Sequence, residues 1–543
     1  MNTTDARTLP TSERWTRAST PRRPPIVLIV AAILVAGLLL LPLLYLLIRV
    51  SGIGSETLAA ALRPRTVQVM TNSIGLAAVV TLAAAIIGVP LAWLTVRTDL
   101  PGRQMWSVLA SLPLVIPSYV GAFALVAFWG PRGMLQEWLA PFGVERLPEI
   151  YGFAGAAYAL TLFTYPYLLL TVRAGLLRTD PSLEEAARSL GLGRQRIFWQ
   201  VTLPSLRPSI AAGALLVALY TLSDFGAVSM LRFSSFTRAI YISYQSSFDR
   251  SLAALLSLLL VGITVVVLAA EQRTQNRARY YRLGAGAGRQ ARPIPLGRWK
   301  WPALAFCAGI VVIALAAPVG VIAIWLLRGL VSGQSLAPLG PEAVNSVTAA
   351  ALAALAATLA ALPFAYLSVR FPGRLTLLAE RVAYVGHGLP GIVVALSLVF
   401  FGANYATALY QTLPMLVFAY VILFLPQALG AQRATLLQTS PRLEEAARSL
   451  GLAPARVWWR VTLPLLRPGV LAGAALVFLT AIKELPATLL LAPTGFSTLA
   501  TDIWSAASEA FFARAAAPAL VLVLISALGL FLFLSQEHGP HSS

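Results

Sequence analysis

Two carboxylates, Asp224 and Glu484, lie inside long apolar runs. Each sits about fifteen residues into its run, roughly 22 Å along a helix that rises 1.5 Å per residue. A carboxylate that deep in a bilayer is costly unless it meets a partner or a wet cavity. The two occupy matching places at an offset of 260 residues, as a pathway between two related halves would require. Their hard oxygens suit hard cations. Ser223 and Lys483, one residue earlier in each run, complete a candidate path. The structural reading stays open beside it: Asp224 can bond Ser223 or backbone groups, and Lys483, adjacent to Glu484 and not facing it, can reach outward. No Ser/His/carboxylate constellation or HExxH pair supports hydrolysis.

A second constellation stands in the polar segments. Asp180 can cap a helix whose first position is Pro181, with Glu184 and Glu185 in the first turn, where the helix dipole favours anions. Glu184 and Arg188 are four apart, in the order that favours an ion pair. Gly191 can end the helix in a left-handed turn, and a second amphipathic segment with Ile197, Phe198 and Val201 is predicted to run to a break at Pro204. The hairpin returns with Ser440 as cap and Glu444, Glu445, Arg448, Gly451 and Pro464 in matching places. The stretches 181–208 and 441–468 are identical at 20 of 28 positions, far beyond chance. Leu183, Ala187 and Leu190 share one helix face, whose small residues permit close approach by another surface. Such a helix can also lie on lipid headgroups, but its repetition with acidic as well as basic residues argues for docking.

The elements that carry these groups are membrane spans. Hydrophobic residues make up 58% of the 543-residue chain and charged residues 11%, a balance typical of polytopic membrane proteins. The net charge of +20 is almost all arginine, placed in short segments between apolar runs, whereas a nucleic-acid binder gathers its cations on one soluble face. Runs able to cross about 30 Å of hydrocarbon fall near 25–48, 71–96, 107–129, 151–172, 209–231, 251–270, 302–327, 345–369, 382–402, 408–431, 469–491 and 515–534. The first is too long for a signal-peptide core and reads as a retained anchor. The arginine-rich segments 97–105, 173–208, 271–300, 370–381 and 433–468 are predicted to face the cytoplasm, as is the N-terminus. Cys307, the single cysteine, excludes disulfides within the chain and reads as a small buried hydrophobe.

The second half repeats the first. TVRTDLPGR at 95–103 returns as SVRFPGR at 368–374, and Asn72-Ser73 as Asn345-Ser346. Pro117 pairs with Pro390 at an offset of 273 but Pro166 with Pro426 at 260, so thirteen residues are missing from the second copy's loop after its third core span. Both hairpins lie on one side, so an even number of crossings separates them and the repeats are parallel. The expected architecture is all-α and integral to the membrane, about twelve transmembrane helices in two parallel six-helix repeats. Its parts are a cytoplasmic tail at 1–24, a first half at 25–270 with its core at 66–270, a basic linker at 271–300, a second half at 301–534 with its core at 341–534, and a tail at 535–543. The glycine run at 284–288 follows no strand and reads as flexible linker.

The residues Glu185-Ala186-Ala187, then Gly191 and Leu203-Pro204, repeated as Glu445-Ala446-Ala447, Gly451 and Leu463-Pro464, resemble the EAA loop of permeases in binding-protein-dependent ABC importers. The resemblance covers residues from about 66 to 534 and implies a fused permease with two such domains. It implies that the hairpins, from Glu184 to Pro204 and from Glu444 to Pro464, are coupling helices for two copies of an ABC ATPase subunit. A periplasmic substrate-binding protein would deliver the cargo across the bacterial inner membrane. Within that family, SDFGAVSML at 223–231 and KELPATLLL at 483–491 resemble the ferric-iron importers; thiamine and organic phosphonate permeases share the architecture and remain open. The residues agree that the motor lies elsewhere. The only lysines are Lys300 and Lys483, and neither follows glycine, so no Walker A loop exists here. The resemblance implies that ATP and magnesium belong to the partner and that this chain is a transport permease without a cofactor of its own; an ion-coupled secondary transporter is the rival class.

Overall fold

The computed structural model describes residues 24–52, 59, 63–131, 133–179, 182–246, 251–276, 293–333 and 339–537. Most of the two tails, most of the linker, and the predicted cap at Asp180 and Pro181 lie outside the described residues. Among those described, the fold is helical, with one isolated parallel β-bridge between Thr98 and Ile294.

Each half is built on three packed helices: Pro64–Arg97, Phe153–Arg178 and Arg207–Ser223 in the first, Leu339–Arg370, Leu413–Gln438 and Leu463–Ala481 in the second. Lipid offers no hydrophobic drive for helices to associate, so close approach through small residues must supply the packing. Gly88 does this against Leu169 and Gly473 against Ala428; a Cβ at either would lie 3.0 Å from the facing backbone.

Nine helices among the described residues are long and apolar enough to cross a membrane, and up to eleven if each of two bent pairs is one span. The expected spans at 107–129 and 382–402 are broken, not continuous. The first splits at Pro117 into Arg103–Val115 and Ser118–Phe142, bent by 91°. The second splits before Pro390 into Arg374–Val385 and the 15-residue helix Gly391–Tyr405, too short alone to count. A proline fixes φ and disfavours helix in the residue before it, which explains a break at both equivalent positions. The spans at 209–231 and 469–491 also stop short, at Ser223 and Ala481, just before the two carboxylates.

The halves are interlocked. Helix Ile26–Ser51 packs on Leu339–Arg370, Arg374–Val385 and Gly391–Tyr405 of the second half. Helix Gly297–Val331, the second half's counterpart, returns to the first: Trp325 Nε1 donates to the Ala127 carbonyl (3.2 Å), and Arg328 pairs with Glu137 at 2.6 Å. The repeated Asn-Ser pair acquires a structural role. Asn72 and Asn345 donate to the carbonyls of Ser234 and Ser497 (3.1 and 2.9 Å). Ser73 and Ser346 accept from the backbone N–H of Phe236 and Leu499 (2.9 and 2.8 Å). Each pair fixes the start of a short helix, Phe236–Ser246 or Leu499–Ser508, to the N-terminal part of the first core helix.

Candidate functional site

The hairpin helices are Ser182–Ser189 and Pro441–Ser449. In the second, the Ser440 side chain accepts from the N–H of Arg442 and Pro441 opens the helix. Gly191 and Gly451 have φ of +80° and +85°. The N–H of each bonds the carbonyl three back, Arg188 or Arg448 (both 2.9 Å), and the next residue's N–H reaches Ala187 or Ala447 (3.1 and 3.2 Å). This is a Schellman ending, which satisfies the last carbonyls only with a left-handed residue. A Cβ at either glycine would meet open space, so strain alone opposes substitution. Changing both to valine is therefore expected to destabilise each turn by roughly 1–2 kcal/mol. A lower thermal midpoint of the purified chain, with the spans still folded, is the expected readout; an unchanged midpoint would overturn it.

Sequence logic paired Glu184 with Arg188 and Glu444 with Arg448, and these pairs form at 3.9 and 3.6 Å. The larger connection was not anticipated. Glu184 and Glu444 are buried, 6% and 4% exposed, and each faces the C-terminal end of its half's first core helix. Arg97 Nη2 lies 3.5 Å from Glu184, and Thr202 Oγ1 donates to it at 3.0 Å. Arg370 Nε lies 3.0 Å from Glu444, and the Tyr366 hydroxyl donates at 3.1 Å. Beside each pair a hairpin aromatic meets one on that helix edge-on: Phe198 with Trp93 at 5.7 Å and Trp458 with Tyr366 at 5.0 Å. The signal was present in the repeat TVR/SVR, which carries Arg97 and Arg370.

Two expectations need correction. Ala187 and Ala447 are buried against their own chain, whereas Leu190 and Leu450 are more than 80% exposed. The supposed docking face is split, because the carboxylate one turn before each alanine is drawn inward by arginine. The outward apolar groups among the described residues include Leu190, Leu443, Leu450, Trp199 and Trp459, with Glu185, Glu445, Ala186 and Ala446 also exposed. The second segment also does not stop at proline. A π turn at Phe198–Thr202 and at Trp458–Thr462 precedes Pro204 and Pro464, and helix resumes through each proline. The wider turn accommodates a residue with no N–H to give. In the first copy the bend falls later, 57° between Phe198–Ser205 and Arg207–Ser223.

Asp224, Glu484, Ser223 and Lys483 line one cavity of about 280 Å³ between the halves. Asp224 breaks its helix by capping the next: Oδ1 accepts from the N–H of Ala227 and Val228 (3.0 and 3.2 Å), and Oδ2 accepts from the Ser118 hydroxyl. Glu484 Oε1 accepts from the Ala487 N–H at 3.3 Å, after which Pro486 opens a short helix. Gly391 makes room for this carboxylate, since a Cβ there would lie 2.5 Å from Oε1. Lys483 does not reach outward. Its Nζ donates to the Leu114 carbonyl of the other half at 3.1 Å, because the break at 482–485 turns it into the cavity. Tyr119, Tyr167 and Tyr220 face the same space from the first half. The Tyr119 hydroxyl is buried without a hydrogen-bond partner among the described residues. Among the described residues no group of three or more His, Cys, Asp or Glu could hold a metal ion.

Residues 85–280 and 342–537 each match the family described as binding-protein-dependent transport system inner membrane component. The chain is 36% identical over 517 residues to the Fe(3+)-transport system permease protein FbpB 2 of Haemophilus influenzae, covering 94% of this chain and 98% of that one. It is 25% identical over 479 residues to the ferric transport system permease protein FbpB of Actinobacillus pleuropneumoniae, covering 84% and 69%. The molybdenum transport system permease protein ModB of Escherichia coli matches a shorter stretch, 33% identical over 188 residues, covering 33% of this chain and 81% of ModB. Two matched domains, two interlocked helical bundles and two hairpins in equivalent places lead to one conclusion: the chain is a multi-pass membrane permease that belongs to the binding-protein-dependent transport system inner membrane component family.

Proposed function

We propose that the chain passes ferric iron from a periplasmic binding protein to the cytoplasm, driven by two copies of a separate ABC ATPase subunit seated on the hairpins. The observation that carries this reading is the near full-length similarity to a permease named for Fe(3+) transport. The N-terminus and both hairpins face the cytoplasm, a reading supported by the arginine-rich segments beside them.

The geometry supplies a route for the stroke. Each hairpin is tied by a buried ion pair and an aromatic contact to the inner end of its first core helix. That helix carries the Asn-Ser pair holding an outer helix near its other end. Displacing a hairpin therefore moves a continuous helix of 34 or 32 residues, roughly 50 Å long at 1.5 Å per residue. The cavity with Asp224 and Glu484 lies between the two bundles so moved.

The test is uptake into proteoliposomes that contain the permease with its ATPase, given binding protein loaded with iron, thiamine or phosphonate. ATP-dependent uptake of iron is expected. Uptake of either other cargo with none of iron, or uptake driven by an ion gradient without the ATPase, would overturn the reading.

A further inference from the structure

A second cavity lies apart from the central one. It has a volume of about 1030 Å³ and lies between helix Ile26–Ser51 and the second half, beside the second hairpin. Its walls are apolar, with Ile29, Ile33 and Leu40 on one side and Leu378 and Val382 on the other. Its polar end holds Arg370, Arg374 and Arg448. From Ile29 to Leu40 is roughly 16 Å of helix, about half of the 30 Å hydrocarbon thickness. The groove is thus one leaflet deep, apolar along its length and cationic at the surface.

The first half partly covers the equivalent corner with its own chain, leaving a smaller cavity of about 360 Å³ beside Asp99, Arg103 and Pro293. There the end of the linker lies on the loop after Arg97: the Ile294 N–H donates to the Arg97 carbonyl (2.8 Å) and the Leu296 N–H to Asp99 Oδ1 (2.8 Å). The second copy of that loop, SVRFPGR, is two residues shorter than TVRTDLPGR and lacks a counterpart of Thr98 and Asp99. Among the described residues the corner beside Arg370 has no such clasp. Charge decides what suits it. Three arginines face two lining carboxylates, Glu444 and Glu445, and Glu444 is already held by Arg370 and Arg448. The Nε of Arg448 is buried without a hydrogen-bond partner among the described residues. A basic segment of this chain would be repelled here and an anion attracted.

We infer that the groove binds one anionic phospholipid, its acyl chain along Ile29–Leu40 and its phosphate on Arg374 and Arg448, against the ion pair that anchors the second hairpin. The cytoplasmic leaflet as its source rests on the orientation proposed above; the groove and its chemistry do not.

The test is native mass spectrometry of the purified full chain released from micelles holding equal phosphatidylglycerol and phosphatidylcholine. The wild type is expected to retain one phosphatidylglycerol in preference to phosphatidylcholine. Arg374→Gln should reduce that preference about fivefold, the effect of one arginine near a lipid surface. Gly37 lines the groove with open space around its Cβ position, so Gly37→Trp should expel the lipid while the chain folds. Equal retention of both lipids, or retention unchanged in Gly37→Trp, would overturn the proposal. So would retention seen only after residues 1–20 are deleted, which would make the tail the native occupant. Micelles present lipid from every side, so these outcomes do not depend on orientation.

Discussion

Glu444→Ala is expected to destabilise the second hairpin's attachment by about 3–5 kcal/mol, because it leaves a buried arginine without its counter-charge. Arg370 has a side chain only 8% exposed, and besides Glu444 its only bond among the described residues is to the Thr439 carbonyl at 3.1 Å. Tyr366 would lose its acceptor as well. The expected result is a lower thermal midpoint of the purified chain together with ATP turnover that no longer responds to loaded binding protein. Glu184→Ala should act in the same direction on the first half, where Arg97 is 3% exposed and has no other carboxylate within 4.0 Å among the described residues.

The decisive variant removes both partners. Replacing a buried pair by apolar residues of similar size is often neutral for stability. Arg370→Met with Glu444→Met should therefore recover most of the thermal midpoint while coupling stays impaired, since the apolar contact transmits force without the fixed direction of an ion pair. A double variant that restores both, or a single variant that loses neither, would show that the pair does not carry the stroke. Comparing single and double changes isolates the interaction itself.

Much of this was legible from residue order, and the remainder was hidden for identifiable reasons. Long apolar runs reveal spans because lipid demands them, and the doubled hairpin reveals two equivalent halves. The turns at Gly191 and Gly451 follow from one residue's backbone freedom. What sequence does not show is which neighbour a face will meet. The face of Leu183, Ala187 and Leu190 looks continuous on a helix in isolation, and only the distant Arg97 divides it. Similarly, the apolar run around Asp224 gives no sign of a break, because no proline marks it; the carboxylate makes the break by taking the amides of Ala227 and Val228. The crossing of helix Ile26–Ser51 onto the other half leaves no local signal either, since a lipid-facing helix reads the same on any bundle.

That capping role alters what a charge test at the centre must separate. Asp224→Ala would remove acceptors for two backbone amides and for Ser118, so a loss of uptake in that variant could reflect a misplaced helix. Asp224→Asn is the sharper change. Its amide oxygen can still accept from Ala227 and Val228, and the Ser118 hydroxyl can rotate to accept from the new NH₂. Glu484→Gln likewise keeps an acceptor for Ala487. With both changes the cavity retains its shape and loses two negative charges, while Lys483 stays on the Leu114 carbonyl. If the cavity carries a cationic cargo, uptake in proteoliposomes should fall roughly 10- to 100-fold, the loss that follows from removing a charged partner worth about 1.5–3 kcal/mol. Binding-protein docking and basal ATP turnover should be unchanged, because neither hairpin touches these groups. Unchanged uptake in the double variant would mean that Asp224 and Glu484 are helix caps alone, and that the cargo crosses without them.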